Sequence, residues 1–369
     1  MFIAIILSVV ALLSVLLYIR LRHVLTLFSI DLSSLPKESL DTLPAVSLCI
    51  PARDEVHAMT TCLENALSSN YPKLEIIVLD DGSRDNTGHL IKSFAHSGVR
   101  FVEGSPLPDG WLGKNHALEG LLKESSGTYI LFVDVDTQFS PDSISQMMTY
   151  MMRTKSSMLS VMPYRSKNDR ISALFATLRH FWNIIGHTKV HPAVASNAWM
   201  VKRSDLEESF ESFATIAQDV RPERTIAEKL KATGRYRFIV SSPSLGISYE
   251  KKLSSQYETS LRIYYPEFGL VGILLRVAGL AVFLAPFMIF SYGLITREFV
   301  DNAISFCIAI MVTSAYMHYL KRINAKINML TYLILPLVMI REIGLLFASV
   351  LLYKIGRVTW KGRPVASKR

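Results

Sequence analysis

Cysteine is nearly missing from this chain, with three in 369 residues at positions 49, 62 and 307. That excludes a disulfide framework, and the spacing suits no metal or redox motif. Buried, reduced thiols are expected, one in a strand, one in a helix and one in an apolar run. Charge is scarce too: 19% of residues carry it, where a soluble domain has roughly 25%. Half the residues are apolar and the mean hydropathy is +0.28, which excludes disorder and argues against a purely soluble protein. With 40 basic and 31 acidic residues, a net charge of +9, the chain is also too charged to be wholly membrane-embedded. What is left is a soluble domain joined to membrane segments. Internal repeats and low-complexity segments are absent.

The apolar residues are concentrated in two blocks. Residues 2–18 lack charge, and Arg20, Arg22 and His23 follow them. A secretory signal would carry basic residues before the apolar run and a small-residue cleavage site after it. The order here is the reverse, so residues 1–20 read as an uncleaved transmembrane anchor, followed by a linker over 21–43. In the second block, interfacial helices are expected over 251–275 and two transmembrane helices over 276–322, where 277–295 and 303–320 are charge-free. Residues 329–353 are apolar but interrupted by Arg341-Glu342. A charge pair at the bilayer midplane is costly, so this stretch predicts a re-entrant or interfacial hairpin within 323–369. Basic clusters at Arg20 and Arg22, at Lys321, Arg322 and Lys326, and in the tail from Lys354 to Arg369 place those ends in the cytoplasm. The expectation is a multi-pass protein of the cell (inner) membrane with its soluble domain cytoplasmic. The tail would rest on an anionic leaflet, and nucleic acid is not a partner, because the basic residues flank membrane segments.

Between the blocks, residues 44–250 alternate strand and helix patterns. Strands are predicted over 46–50, 74–79, 99–102 and 129–133, and helices over 55–67, 85–94 (with Asp85 as N-cap) and 114–122. This βαβ alternation implies an α/β domain with a mostly parallel sheet, whose ligands bind outside the carboxyl ends of the strands. Acidic clusters fall at two such ends. Asp80-Asp81-Gly82-Ser83 ends one strand and reads by itself as a turn. Asp134-Val135-Asp136 ends another. In an extended chain its two carboxylates point to opposite sides, so one can reach a metal while the other supports it or binds ribose. Oxygen ligands with an open position suit Mg²⁺ or Mn²⁺ carrying a diphosphate.

The set says more than its parts. Pro51-Ala52-Arg53-Asp54-Glu55 after a strand, then Asp-Asp-Gly-Ser, then Asp-x-Asp, in this order, resembles the inverting GT-A (family 2) glycosyltransferases, which use nucleotide-sugar donors. The segment from Pro108 to Ala117, with Gly110-Trp111-Leu112-Gly113-Lys114, is similar to an element of a membrane-bound subgroup that includes carotenoid- and hopanoid-associated and ceramide glucosyltransferases. The tail Trp360-Lys361-Gly362-Arg363 resembles that subgroup as well.

The resemblance implies a Rossmann-like GT-A domain over 44–250 plus transmembrane helices. Pro51, Arg53 and Glu55 would line the nucleotide pocket. Asp81, with Asp80 beside it, would meet the base or ribose, Lys114 the donor phosphates, Asp134 the nucleotide and Asp136 the metal. Asp219 is the expected base, with Glu223 and Asp205 as alternatives and a helix N-cap as its plainer role. Trp111, Ser196, Asn197 and Arg262 are assigned to the acceptor or sugar vicinity, although Arg262 with Tyr257, Tyr264 and Tyr265 also reads as a membrane-interface anchor. His180, Trp182, His187 and His191 match no ligand spacing. The Gln-x-x-Arg-Trp motif of processive synthases is missing after residue 256, which argues against a polymer-extruding channel. The implied activity moves one sugar, most naturally from a UDP-sugar, to a lipid. A polyprenyl-phosphate glycosyltransferase, an inactive scaffold and a transporter are the alternatives.

Overall fold

The structure is a computed structural model that describes residues 2–35, 42–166, 172, 175–297, 299–323 and 330–365. Lys326, Lys368 and Arg369, three of the basic residues used above, lie outside the described residues.

The soluble part is built from strands β1 (Val46–Ala52), β2 (Leu74–Asp80), β3 (Val99–Glu103), β4 (Tyr129–Val133), β5 (Thr137–Gln138), β6 (Met158–Met162), β7 (Tyr164–Arg165), β8 (Ala198–Lys202), β9 (Tyr236–Val240) and β10 (Ser248–Tyr249). The helices among them are α2 (Val56–Leu67), α3 (Thr87–Ser93), α4 (Gly113–Glu124), α5 (Ser143–Thr154), α6 (Arg179–Ile185), α7 (Arg203–Phe210) and α8 (Pro222–Ala232). Before them stands α1 (Phe2–Phe28), and after them α9 (Leu253–Thr296), α10 (Phe299–Ile323), α11 (Leu330–Leu333) and α12 (Leu335–Lys354). A small hairpin of β11 (Thr359–Trp360) and β12 (Arg363–Pro364) follows.

The main sheet has seven strands in the order β3-β2-β1-β4-β8-β6-β9. Only β8 runs antiparallel to its neighbours, β4 and β6. Alternation along each strand divides two cores. Val46, Leu48 and Ile50 face the α2 and α5 side, whereas Cys49 joins Ile130, Phe132 and Trp199 on the side that continues into α1 and the C-terminal helices. Strand β1 therefore stands centrally, with crossovers leaving it in both directions, and the loops after β1, β2 and β4 meet at one edge.

The expected strands and helices of the domain are present: β1, β2, β3 and α4 extend by one or two residues, β4 matches, α2 starts one residue later, and α3 is shorter by two residues at its start and one at its end. The N-cap of α3 is Asn86, one residue after the expected Asp85. Asp85 still works at this helix start, because its carboxylate accepts the backbone N–H groups of Thr87 (3.0 Å) and, across the loop, Val56 (3.2 Å).

The membrane blocks depart further from expectation. Among the described residues four helices are long and apolar enough to cross a membrane: α1, α9, α10 and α12. The first runs to Phe28, well into the expected linker. The expected interfacial helices over 251–275 are the first part of α9, which continues to Thr296 with one break at Gly269 (φ 61°, ψ 177°). The expected hairpin over 329–353 is instead dominated by one continuous helix, α12. The reason is local: the charge pair at its centre does not face lipid. Glu342 is fully buried and accepts from the Leu178 N–H (3.1 Å), the Trp182 indole N–H (3.1 Å) and the Tyr264 hydroxyl. Arg341 donates to the carbonyls of Phe175 and Ala176. A charge so satisfied needs no helix break. Cys49 and Cys62 are buried free thiols as expected, whereas Cys307 is exposed on α10.

Candidate active site

A cavity of about 1100 Å³ opens at the carboxyl edge of the sheet. Its floor comes from the loops after β1 and β4, its sides from the start of α4, the β10–α9 connection and the first turns of α9, and its rim from the C-terminal hairpin. Pro51, Arg53, Glu55, Lys114, Asp134, Asp136 and Arg262 all line it. Sequence positions from 51 to 262 thus converge on one space.

The two acidic motifs divide their labour. Asp80 is committed to its turn: Oδ1 accepts from the Ser83 N–H (3.0 Å) and the Ser83 hydroxyl (2.5 Å). Gly82 follows at φ 67°, where a side chain would strain the backbone. Asp81 points the other way and is 3% exposed. Its backbone carbonyl accepts from Arg53, and its Oδ2 takes a hydrogen bond from Arg363 Nη1 at 2.6 Å. Burial pushes the Asp81 carboxyl above the ordinary range, with Arg363 acting in the opposite direction.

At the second motif the Asn197 carbonyl holds the loop, accepting from Asp134 N–H (2.9 Å) and from the Thr137 hydroxyl (3.0 Å). Asp134 Oδ1 takes the Lys114 ammonium at 2.8 Å. Burial opposes ionisation of Asp134, but Lys114 and Lys251 outweigh it and hold the carboxyl below its ordinary range. Asp136 is different. Its Oδ2 lies 3.4 Å from Lys251 Nζ, and its buried Oδ1 has no hydrogen-bond partner. A buried anionic oxygen left unpaired is costly unless something else meets it. Such a hard oxygen facing a cavity fits a divalent cation. Among the described residues no group of three His, Cys, Asp or Glu side chains could hold a metal alone, so further ligands would have to come from a bound molecule.

Lys251 and Glu250 reach this place because β10 pairs antiparallel with β5, directly after Asp136. Arg165, on β7 beside β10, donates to the Tyr249 hydroxyl at 2.9 Å. Arg262 is a wall of the cavity, with its guanidinium over the Trp360 ring at 5.3 Å and its buried Nε unpartnered. The membrane-anchor reading of Arg262 is thereby replaced.

Asp80, Asp81, Trp111, Ser196, Asn197 and Asp219 do not line the cavity; Asp81 lies behind Arg363. Trp111 packs edge-on to His116, and Asn197 acts through its backbone. Asp219 accepts from the Thr225 hydroxyl (2.6 Å) and stands two residues before Arg221, the N-cap of α8. Its loop is nevertheless tied to the site. The Asn115 amide, next to Lys114, donates to the carbonyls of Ile216, Ala217 and Asp219 at 2.9–3.0 Å. Glu223 pairs with Arg221, and Asp205 with Arg235, which removes both from the cavity. His180, His187 and His191 are separately engaged with Tyr249, Ala193 and Glu228.

The basic tail is where expectation and structure differ most. Lys361 and Arg363 do not lie free for a lipid leaflet; they pair with Glu55 (2.8 Å) and Asp81 (2.6 Å). Burial pushes the Glu55 carboxyl up, against the pull of Lys361. Arg165, Lys251 and Glu258 carry no local signal that marks them, whereas Trp360, Lys361 and Arg363 were legible as the Trp-Lys-Gly-Arg tail but were not expected in the site.

The family described as Glycosyl transferase family 2 matches residues 47–210. A probable glycosyltransferase of Bacillus subtilis, YdaM, is 36% identical over 104 residues, 27% of this chain and 24% of that protein. The 4,4'-diaponeurosporenoate glycosyltransferase of Staphylococcus aureus is 28% identical over 145 residues, 38% of this chain and 37% of that protein. The chain thus spans well under half the length of these relatives. A mannosyltransferase of Pyrobaculum calidifontis, solved with GDP-Man and Mn²⁺, superposes with a TM-score of 0.54 at 16% identity, covering 95% of this chain and 97% of that one. With the strand order, the convergent loops and the two acidic motifs, these likenesses agree on one assignment: residues 47–210 are a glycosyl transferase family 2 domain of the GT-A fold.

Proposed function

We propose that the chain transfers a single sugar from a nucleotide-diphosphate sugar, a UDP-sugar in the first instance, to a lipid acceptor with inversion at the anomeric carbon. The observation that carries this reading is the Asp134–Lys114 pair beside the unpartnered Asp136 Oδ1, in one cavity with Lys251 and Arg262. Carboxylates for ribose and cation, ringed by side chains that offset the charge of a diphosphate, make a leaving-group site. The mannosyltransferase similar in fold was solved with a nucleotide-diphosphate sugar and Mn²⁺, which supports the donor class.

In this proposal Asp81 meets the nucleoside, Asp134 the ribose, and Lys114, Lys251 and Arg262 the diphosphate. Mg²⁺ or Mn²⁺ held at Asp136 would supply Lewis-acid stabilisation of the departing diphosphate. Asp219 is the base for an acceptor hydroxyl; its carboxylate, bonded to the Thr225 hydroxyl in the ligand-free chain, has to turn toward the cavity to take that proton, whereas a carboxylate acceptor attacks with no proton to lose. The Asn115 bonds support this role, because they hold the Asp219 loop to the helix start that carries Lys114. The lipid acceptor is supported by the four apolar helices packed against the domain and by the relative named for the carotenoid 4,4'-diaponeurosporenoate. We place the domain on the cytoplasmic side of the cell membrane from the basic residues at Arg20, Arg22, Lys321 and Arg322.

The test is UDP release by the full chain in detergent with Mn²⁺ and lipid extract, followed by mass spectrometry of the lipids. Sugar-bearing lipid made by wild type and not by Asp136→Ala supports the reading. No metal-dependent turnover with any nucleotide sugar and lipid extract overturns it.

A further inference from the structure

The C-terminal hairpin closes over the cavity through its turn. Lys361 (φ 47°) and Gly362 (φ 74°) both have positive φ between β11 and β12, the signature of the tight turn that suits a twisted two-stranded ribbon. Lys361 makes four bonds there. Its ammonium reaches Glu55 Oε1 (2.8 Å) and the Asp54 carbonyl (3.1 Å), its N–H donates to Glu258 (3.2 Å), and its carbonyl accepts from Arg53 Nε (3.3 Å). Arg363 goes deeper. Its guanidinium donates to Asp81 Oδ2 (2.6 Å) and to the Asp81 carbonyl (3.3 Å). It also lies against Gly82 and Gly113, where an added Cβ would meet it at 3.7 and 3.0 Å.

We propose that this hairpin is a self-occupant of the nucleotide subsite: in the ligand-free chain Arg363 holds the Asp81 carboxylate, and a donor nucleotide has to displace it. The inference rests on the donor reading above, in which Asp81 meets the nucleoside. The chemistry of the two occupants is alike. A carboxylate only accepts hydrogen bonds, and both a guanidinium and the N–H edge of a uracil or guanine ring present planar donors to it. Space does not admit both, because Asp81 is 3% exposed and its open side, between Gly82 and Gly113, is filled by Arg363. Displacement also frees two cations, Arg363 and Lys361, at the rim of a site for an anionic ligand. The hairpin's two cations thus leave two carboxylates, Asp81 and Glu55, for the phosphates of the nucleotide.

Purified full chain in detergent, with Mn²⁺ present, tests this by calorimetric binding of UDP and GDP to wild type and Arg363→Ala. Removing the competitor is expected to tighten nucleotide binding about tenfold. Saturating nucleotide is expected to speed amide exchange of residues 358–365 in wild type, where Val365 N–H now bonds the Val358 carbonyl (2.9 Å). Equal or weaker binding by the variant, or added protection of the hairpin with nucleotide bound, overturns the inference and leaves the donor reading standing. Folded wild type and variant that both bind neither UDP nor GDP overturn the donor reading, and this inference with it.

Discussion

Lys114 Nζ lies 2.8 Å from Asp134 Oδ1, which joins the start of α4 to the end of β4 across the floor of the cavity. Both side chains are mostly withdrawn from water, at 13% and 24% exposure. The lysine does two things: it keeps a buried carboxylate ionised, and it adds a cation where the leaving diphosphate would sit. Lys114→Met is expected to lower kcat/KM by about 10²-fold, the scale of losing one preorganised charge at a transition state. It should also move the acid limb of the pH–rate profile upward. The sign follows from cause: burial raises the Asp134 carboxyl, Lys114 and Lys251 pull it down, and losing one of them lets it rise. An unmoved acid limb would show that Lys114 does not govern this ionisation.

Asp136 makes the opposite prediction for stability. Its Oδ1 has no partner, so Asp136→Asn removes a buried charge at little cost, leaving only the 3.4 Å contact to Lys251 to be lost. The unfolding midpoint without ligand should change by no more than is usual for a surface substitution. The rise in midpoint that Mn²⁺ with UDP gives wild type should vanish, and turnover should fall by about 10³-fold. Thermal unfolding with and without Mn²⁺ and UDP separates these outcomes. A variant still stabilised by Mn²⁺ as strongly as wild type would place the cation elsewhere.

The parallel sheet was legible because strands 46–50, 74–79 and 129–133 are apolar runs that stop at Pro, Asp-Asp-Gly and Asp-x-Asp, and those stops are local chemistry. Lys114 and Asp134 could each be named from their own neighbourhood. Their pairing, and the arrival of Lys251 beside Asp136, depend on strand partners far apart in sequence, which no local pattern encodes. The continuity of α12 was missed for the same reason in reverse. Arg341-Glu342 looked like a break in an apolar helix because the partners that satisfy it (Leu178, Trp182 and Tyr264) stand 78–164 residues away. The tail was misread because a run of basic residues says nothing about whether its counter-ions are lipid or, as here, Glu55 and Asp81.

Glu342 ties α12 to α9 and to the start of α6, so its loss should loosen the seat of the domain on the helices. Glu342→Ala strands three donors, the Leu178 N–H, the Trp182 indole and the Tyr264 hydroxyl, in a fully buried place, and removes the carboxylate 3.2 Å from the Arg341 guanidinium. The expected destabilisation is about 3 kcal/mol, the scale of breaking a buried charged network. Glu342→Gln keeps the acceptor oxygen for Trp182 and should recover a good part of it. Unfolding followed by tryptophan fluorescence measures both variants. Equal loss in the two would mean that charge, and not hydrogen bonding, carries the contact.

His187 gives the chain a built-in acid sensitivity. Its Nδ1 accepts the Ala193 N–H at 3.1 Å, so the fold holds the ring neutral at that nitrogen, with Phe28 edge-on at 4.9 Å. Burial, with Lys231 and Arg20 nearby, lowers its pKa from 6.5 to about 4. Between those two values the unfolded chain binds the proton and the folded chain does not. The stability due to His187 is therefore complete above pH 6.5 and is lost progressively as pH falls toward 4. The ring is partly exposed, so water screens the effect and leaves about 1 kcal/mol. His187→Asn keeps an acceptor near the position of Nδ1 but cannot titrate. Its unfolding midpoint should be nearly flat across this window where that of wild type falls by a few degrees. If both proteins lose stability in parallel, the acid sensitivity belongs to another group.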